Sequence, residues 1–211
     1  MRKLLVSLLV LVALLVAADR ITVHYVDKAL ADRMQEDGHL ERRPVVDVRG
    51  FPFLVQAARG RYDRTDVHIR DVTRNGVTIS RLDVTITDAL IPLSKVGSAT
   101  DVPVRNLAAT AVLTYVELAA ESRIGGLTIT PRGSKVDVTG SVAGVRLTSS
   151  ATVTLKGDRV VVSTLKGMLD FSVRIPPLPF GLRLDSAQAR PDGVHLAASS
   201  GPTVLTPKAV T

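Results

Sequence analysis

Leu169–Leu184 reads LDFSVRIPPLPFGLRL, and a shorter echo, Gly50–Gln56, reads GFPFLVQ. Phe51, Phe53, Phe171 and Phe180 are the only phenylalanines of the chain, and all of them fall in these two stretches. Pro52, Pro176, Pro177 and Pro179 fix φ and remove backbone donors, so neither stretch runs through the middle of a sheet. Both are expected to form rigid extended rims at the edge of a β structure. Phenyl rings on such a rim either plug one end of a core or form an apolar mouth.

Working outward, nearly everything from Val45 onward alternates with period two or sits in a turn. Val67 and Ile69 share one strand face with Asp66, His68 and Arg70 on the other, and Asn75-Gly76 supplies the turn of a hairpin. On the return strand a change of phase at Ser80-Arg81 implies a bulge, and bulges bend strands. Tyr115–Arg123 reads as a short helix closed by Gly125-Gly126. Leu182–Ala189 and Val194–Ala198 form a last hairpin about Pro191-Asp192-Gly193. About nine or ten strands emerge from this reading. The expected fold is α+β and mostly β: a strongly curved antiparallel sheet or open barrel wrapped around one long N-terminal amphipathic helix, with one short helix added.

Arg2 and Lys3 precede an apolar run from Leu4 to Val16, and Ala17-Ala18 is small enough for signal peptidase. Residues 1–18 are therefore expected to be a signal peptide, or an uncleaved signal anchor with its basic end inside, and the body to be exported. Asp19–Asp37 then reads as a helix with Val23, Val26, Leu30 and Met34 on one stripe, stopped by Gly38. Residues 19–205 are expected to form a single β-rich domain and 206–211 a frayed tail.

Aromatics make up 3% of the chain and Trp is absent, so Val, Leu, Ile and Ala must fill the core or line a space that something else fills. The lack of cysteine removes disulfides, thiolate metal sites and catalytic thiols. A net charge of +7 lacks the clustered stripe of nucleic-acid binders and fits a weak attraction to anionic headgroups, so membrane surface is expected as a partner and nucleic acid is not. His24, His39, His68 and His195 are scattered, and no nucleophile elbow, phosphate loop or dinucleotide fingerprint occurs. Neither metal nor cofactor is expected, nor is an enzyme.

Apolar geometry remains. A curved sheet closed by a helix encloses an elongated interior, and burying an acyl chain there is worth about 0.8 kcal/mol per methylene without any special motif. Phe51, Phe53, Leu178 and Phe180 would form the mouth, and Leu30, Met34, Leu54, Phe171 and Leu182 would complete the apolar lining. Arg174 and Arg183 would flank it for a lipid phosphate, unless they simply occupy an exposed strand face.

The leader and helix, Gly50-Phe51-Pro52-Phe53-Leu54 followed by Gly60-Arg61-Tyr62-Asp63, then Leu178-Pro179-Phe180-Gly181-Leu182-Arg183-Leu184 and Pro191-Asp192-Gly193-Val194, resemble the LmeA-like phospholipid-binding family of bacterial envelope proteins. The resemblance runs from about Asp19 to about Leu205. Val55 departs from it, standing where a polar residue is expected. The resemblance implies an envelope protein, anchored or secreted, with a fold similar to tubular lipid-binding modules; a monomer in the periplasm or at the outer face of the cytoplasmic membrane is expected. Such a protein binds or transfers phospholipid and supports assembly of envelope glycolipids such as lipomannan-type polymers. A second reading stays open, in which a structural β module docks another envelope protein through its Phe-Pro rim. An interior cavity favours the first, and a filled core with the rings exposed as one patch favours the second.

Overall fold

A computed structural model describes residues 2–37, 40–74, 77–95, 101–122, 124–142, 144–165 and 167–206. The expected helix stop at Gly38, the hairpin turn at Asn75-Gly76, His39 and the tail beyond 206 lie outside these residues. In chain order the elements are α1 (Arg2–Asp37), β1 (Val45–Arg49), α2 (Phe53–Arg59), β2 (Arg61–Arg74), β3 (Val77–Leu90), β4 (Val102–Val104), β5 (Asn106–Leu113) and α3 (Tyr115–Glu121). After these come β6 (Thr128–Arg132), β7 (Lys135–Val142), β8 (Val145–Lys156), β9 (Arg159–Thr164), β10 (Phe171–Arg174), β11 (Arg183–Arg190), β12 (Gly193–Ser200) and β13 (Thr203–Leu205). About half of the chain is strand and 29% helix, and the sheets do not close into a barrel, so the fold is the mostly-β α+β class expected from the sequence. The hydrogen-bonded strand orders are β1-β2-β3-β5-β12-β11, β10-β9-β8-β7-β6 and β13-β4.

The chain divides into two compact units. The first is Met1–Val67, Thr85–Asn106 and Pro202–Thr211; the second is His68–Val84 and Leu107–Gly201.

In the first unit, leader and amphipathic helix are one continuous helix. Residues 2–18 are exposed all round, and the buried stripe begins at Asp19, continues through the half-buried Val23, Val26 and Asp27, and reaches Ala31. The stripe centres on Ala31 where the apolar spacing suggests Leu30, which is exposed, because Asp27 turns inward to accept the Val48 N–H of β1 at 2.9 Å.

Asp66 of β2 is one of two buried carboxylates of this unit, with Asp19. It accepts bonds from Arg64 Nε at 2.9 Å and Thr85 Oγ1 at 2.8 Å, and lies 2.7 Å from Arg49 Nε. Burial pushes the carboxyl up, but the Thr85 hydroxyl and the two guanidinium groups outweigh it and hold the carboxyl below its usual range. A depressed carboxylate contributes stability above its unfolded value, near pH 4, that is lost as pH falls through the lower folded value. Urea midpoints are therefore expected to drop on going from pH 6 to pH 3, and Asp66→Asn to be less stable at pH 6 and to show a smaller drop.

The second unit owes its core to the period-two pattern. Val136 and Val138 of β7, Val160 and Val162 of β9, and Val194, Leu196 and Ala198 of β12 all point inward. Register places Leu155, Val160 and Val173 in one cross-strand row and Val153, Val162 and Phe171 in the next. β12 runs antiparallel to β5 with Val194 opposite Leu113 and Leu196 opposite Ala111. β11 carries a register shift between Leu184 and Ser186, an irregularity of the kind that bends a strand. Helix α3 closes this core. Thr114 caps it through a reciprocal box with Glu117, Leu118 is wholly buried, and Tyr115 donates its hydroxyl to the Arg190 carbonyl at 2.6 Å.

Candidate functional site

The two Phe-Pro motifs lie in different units: Phe51, Phe53 and Leu54 in the first, with Leu30 and Met34; Phe171, Arg174, Leu178, Phe180, Leu182 and Arg183 in the second. The first motif departs from the extended rim expected of it, and the second keeps to it apart from one turn.

The first becomes a helix. Pro52 occupies the N-cap position of α2 with extended φ/ψ, where its missing N–H costs nothing, and Gly60 ends the helix in left-handed conformation. Phe53 is a plug, 3% exposed, its ring centroid 6.0 Å from that of Tyr62. Phe51, 61% exposed, is not. Gln56, which sequence reasoning passed over, is buried and ties three elements together: its Oε1 accepts the Asp63 N–H at 2.9 Å and its Nε2 donates to the Arg49 carbonyl at 3.4 Å. Gly50 is the one position where this needs a glycine, since with φ +112 an added Cβ would strike the Gln56 amide. Asp19 was also passed over. Its buried carboxylate accepts the Leu54 N–H at 2.8 Å, so α1 caps α2 across a long sequence separation.

The second motif stays extended except for a tight turn at Pro179–Gly181, where Phe180 takes a left-handed φ of 59. Phe171 and Leu178 pack against the core of their unit, and Phe180 and Leu182 are half-buried. Of the four rings, then, only Phe51 is exposed. Arg174 is exposed and its Nε is held by Asp158 Oδ2 at 2.6 Å; Arg183 is exposed on β11.

Two depressions border α3. One, of about 610 Å³, is lined by Val116, Ala119 and Ala120 on the helix side and by Gly125, Leu127 and Ile129 opposite. Its small side chains leave an open trough of mixed but mainly apolar lining between α3 and β6. The other, of about 400 Å³, is lined by Glu121, Ser122, Arg159, Ser172 and Arg174. Arg159 Nη1 donates to Ser172 Oγ at 3.2 Å, which turns the guanidinium across the strand pair β9–β10. Consecutive residues, Ala120 and Glu121, line the apolar and the polar depression respectively. Of the two arginines suggested for a headgroup, Arg174 belongs to this polar pocket and Arg183 does not line it.

Among the described residues, no group of three or more His, Asp and Glu side chains could hold a metal. His68 and His195 each hydrogen-bond a carboxylate, Asp83 at 2.7 Å and Asp192 at 2.8 Å, which is a pairwise contact and not a ligand set. The His195 bond holds the Asp192 carboxyl below its usual range.

Compared with known families, residues 17–199 match the family described as LmeA-like phospholipid-binding. No curated protein and no solved structure matches the chain.

Proposed function

Since the chain belongs to the LmeA-like phospholipid-binding family, we propose that it is a non-enzymatic phospholipid carrier of the cell envelope that seats one lipid along α3. The observation that carries this reading is the adjacency of an apolar trough and a two-arginine pocket on the same short helix. An acyl chain laid over Ala119, Ala120 and Leu127 gains about 0.8 kcal/mol per buried methylene. The phosphate then meets Arg159 and Arg174, whose charge-assisted bonds are the strong kind. Glu121 beside them suits a headgroup that carries an amine, so a zwitterionic phospholipid matches this pocket better than a purely anionic one. In this reading the lipid binds at a surface trough. The core of the second unit is filled by its own side chains, Leu118, Val136, Val138, Val160, Val162 and Val194 among them. The protein is exported, faces the outer side of the cytoplasmic membrane, acts as a monomer, and passes lipid on in support of envelope glycolipid assembly.

Native mass spectrometry of the full chain, washed in detergent and subjected to organic extraction, tests the reading. Wild type is expected to retain phospholipid. Ala119→Phe, which fills the trough, and the double change Arg159→Gln with Arg174→Gln are each expected to lower retention at least tenfold. A wild-type chain that takes up no added phospholipid, or an Ala119→Phe chain that retains as much as wild type, sinks the trough as the site.

A further inference from the structure

An exposed apolar patch of the first unit lies where α1 meets α2. Phe51 lies here, and Leu54 and Val55 on the first turn of α2 are likewise exposed, as are Val16 and Ile21 on α1. Leu54 gives its N–H to Asp19, the first buried residue of α1. Below it, residues 2–18 form an exposed apolar helix that, continued into the rest of α1, is long and apolar enough to cross a membrane.

By itself the run Leu4–Ala18 rises only about 22 Å at 1.5 Å per residue, short of the roughly 30 Å hydrocarbon core. Asp19 and Arg20 come next, and two bare charges at that depth would oppose deeper insertion. The fold gives both a partner. The Asp19 carboxylate is consumed by the Leu54 N–H and by Arg20 Nη2 at 2.8 Å. The Arg20 guanidinium is drawn over the Phe51 ring, 5.1 Å from its centroid, and reaches the Gly50 carbonyl at 3.4 Å. An arginine half exposed above an aromatic ring, at the end of an apolar helix, has the stem-in, head-out arrangement that suits a bilayer interface.

We propose that Gly50–Val55, clamped to α1 by Asp19, is a membrane-interface wedge: Phe51, Leu54 and Val55 enter the headgroup region of an anionic phospholipid bilayer, and Arg20 meets a lipid phosphate. Asp19 is a positioning residue here, since it touches α2 and not the lipid. The wedge fixes where the first unit sits on the membrane, a role separate from the trough on α3 and independent of it. Val55, apolar where the resemblance led one to expect a polar residue, adds to the inserted surface.

The chain has no tryptophan, so one introduced indole reports on its own depth. The full chain is reconstituted into phosphatidylethanolamine/phosphatidylglycerol vesicles whose acyl chains are brominated near the headgroup end. Three single-tryptophan forms are compared: Val10→Trp within the apolar run, Phe51→Trp on the wedge, and Tyr25→Trp on the exposed side of α1 beyond it. Phe51→Trp is expected to be quenched at least half as strongly as Val10→Trp and at least threefold more than Tyr25→Trp. Adding Asp19→Ala to Phe51→Trp is expected to cut its quenching at least threefold. Asp19→Asn, whose amide oxygen still accepts the Leu54 N–H, keeps most of it, and Val10→Trp quenching and far-UV circular dichroism stay unchanged in both. Phe51→Trp quenched no more than Tyr25→Trp, or Val10→Trp left unquenched, overturns the wedge; Asp19→Ala without effect overturns the clamp. Adding Ala119→Phe should leave Phe51→Trp quenching untouched, which separates this outcome from failure of the lipid site.

Discussion

Gly193→Ala is expected to destabilise the second unit by about 2–6 kcal/mol, the largest loss for the smallest change the fold admits. Gly193 opens β12 after the Pro191-Asp192 turn with φ +148, a conformation that side-chain-bearing residues rarely adopt, at a cost of about 1–3 kcal/mol. The added methyl would also collide with the Leu113 carbonyl oxygen and lie 3.2 Å from Thr114 Cα. Both are backbone atoms, fixed by the β5–β12 register and by the capping box of α3, so relief requires moving a strand or the helix start. Overpacking of this kind costs roughly another 1–3 kcal/mol. Thermal melting checks it: at roughly 2–4 °C per kcal/mol for a chain of this size, Gly193→Ala should melt several degrees or more below wild type. Asp192→Ala in the same turn, losing chiefly the bond between a half-exposed carboxylate and His195, should cost less, about 1 kcal/mol. Equal melting of Gly193→Ala and wild type would mean that the β5 end yields freely.

That hairpin was legible in the sequence because its signals are local: a turn tripeptide between two alternating runs. The same holds for β7, β9 and β12, whose inward valines recur at period two, and for α3, which the sequence marks by the closing Gly125-Gly126. The first Phe-Pro motif was not legible as a helix. Seven residues make about two turns, too few for a 3.6 period to rise above a strand pattern, and Pro52 looked like a breaker when it is the N-cap. Asp19 and Gln56 escaped notice for another reason. A buried carboxylate capping a helix far along the chain and a buried amide bridging two strands are long-range arrangements with no local spacing to betray them. Of the candidate site, Arg174 was visible in advance, whereas Arg159 and the trough along α3 were not, because they arise from packing α3 on β6 and pairing β9 with β10.

Leu118→Ala is expected to cost about 2–5 kcal/mol and, with it, most of the retained lipid. Leu118 is wholly buried on the inner face of α3, within the cluster that includes Tyr115, Ile129, Val138 and Leu196. On the outer face of the same helix, Val116, 80% exposed, lines the apolar trough. Truncating Leu118 removes the apolar contacts that press α3 onto the core and leaves a cavity that rigid β-strands cannot close. The first turn is tied further by its capping box and by the Tyr115 hydroxyl bond to Arg190, each worth about 1 kcal/mol. These hold the first turn but not the last, where Ala119, Ala120 and Glu121 border both depressions. The loss of lipid should therefore exceed what reduced stability alone explains. At a temperature where the variant is still fully folded by circular dichroism, native mass spectrometry should show retention down at least fivefold. Val46→Ala, a core truncation on β1 of the first unit and outside that cluster, should destabilise yet retain lipid near the wild-type level. If both truncations lose lipid equally while folded, the trough is not what α3 provides; if Leu118→Ala alone does, the helix is the element that joins stability to lipid binding.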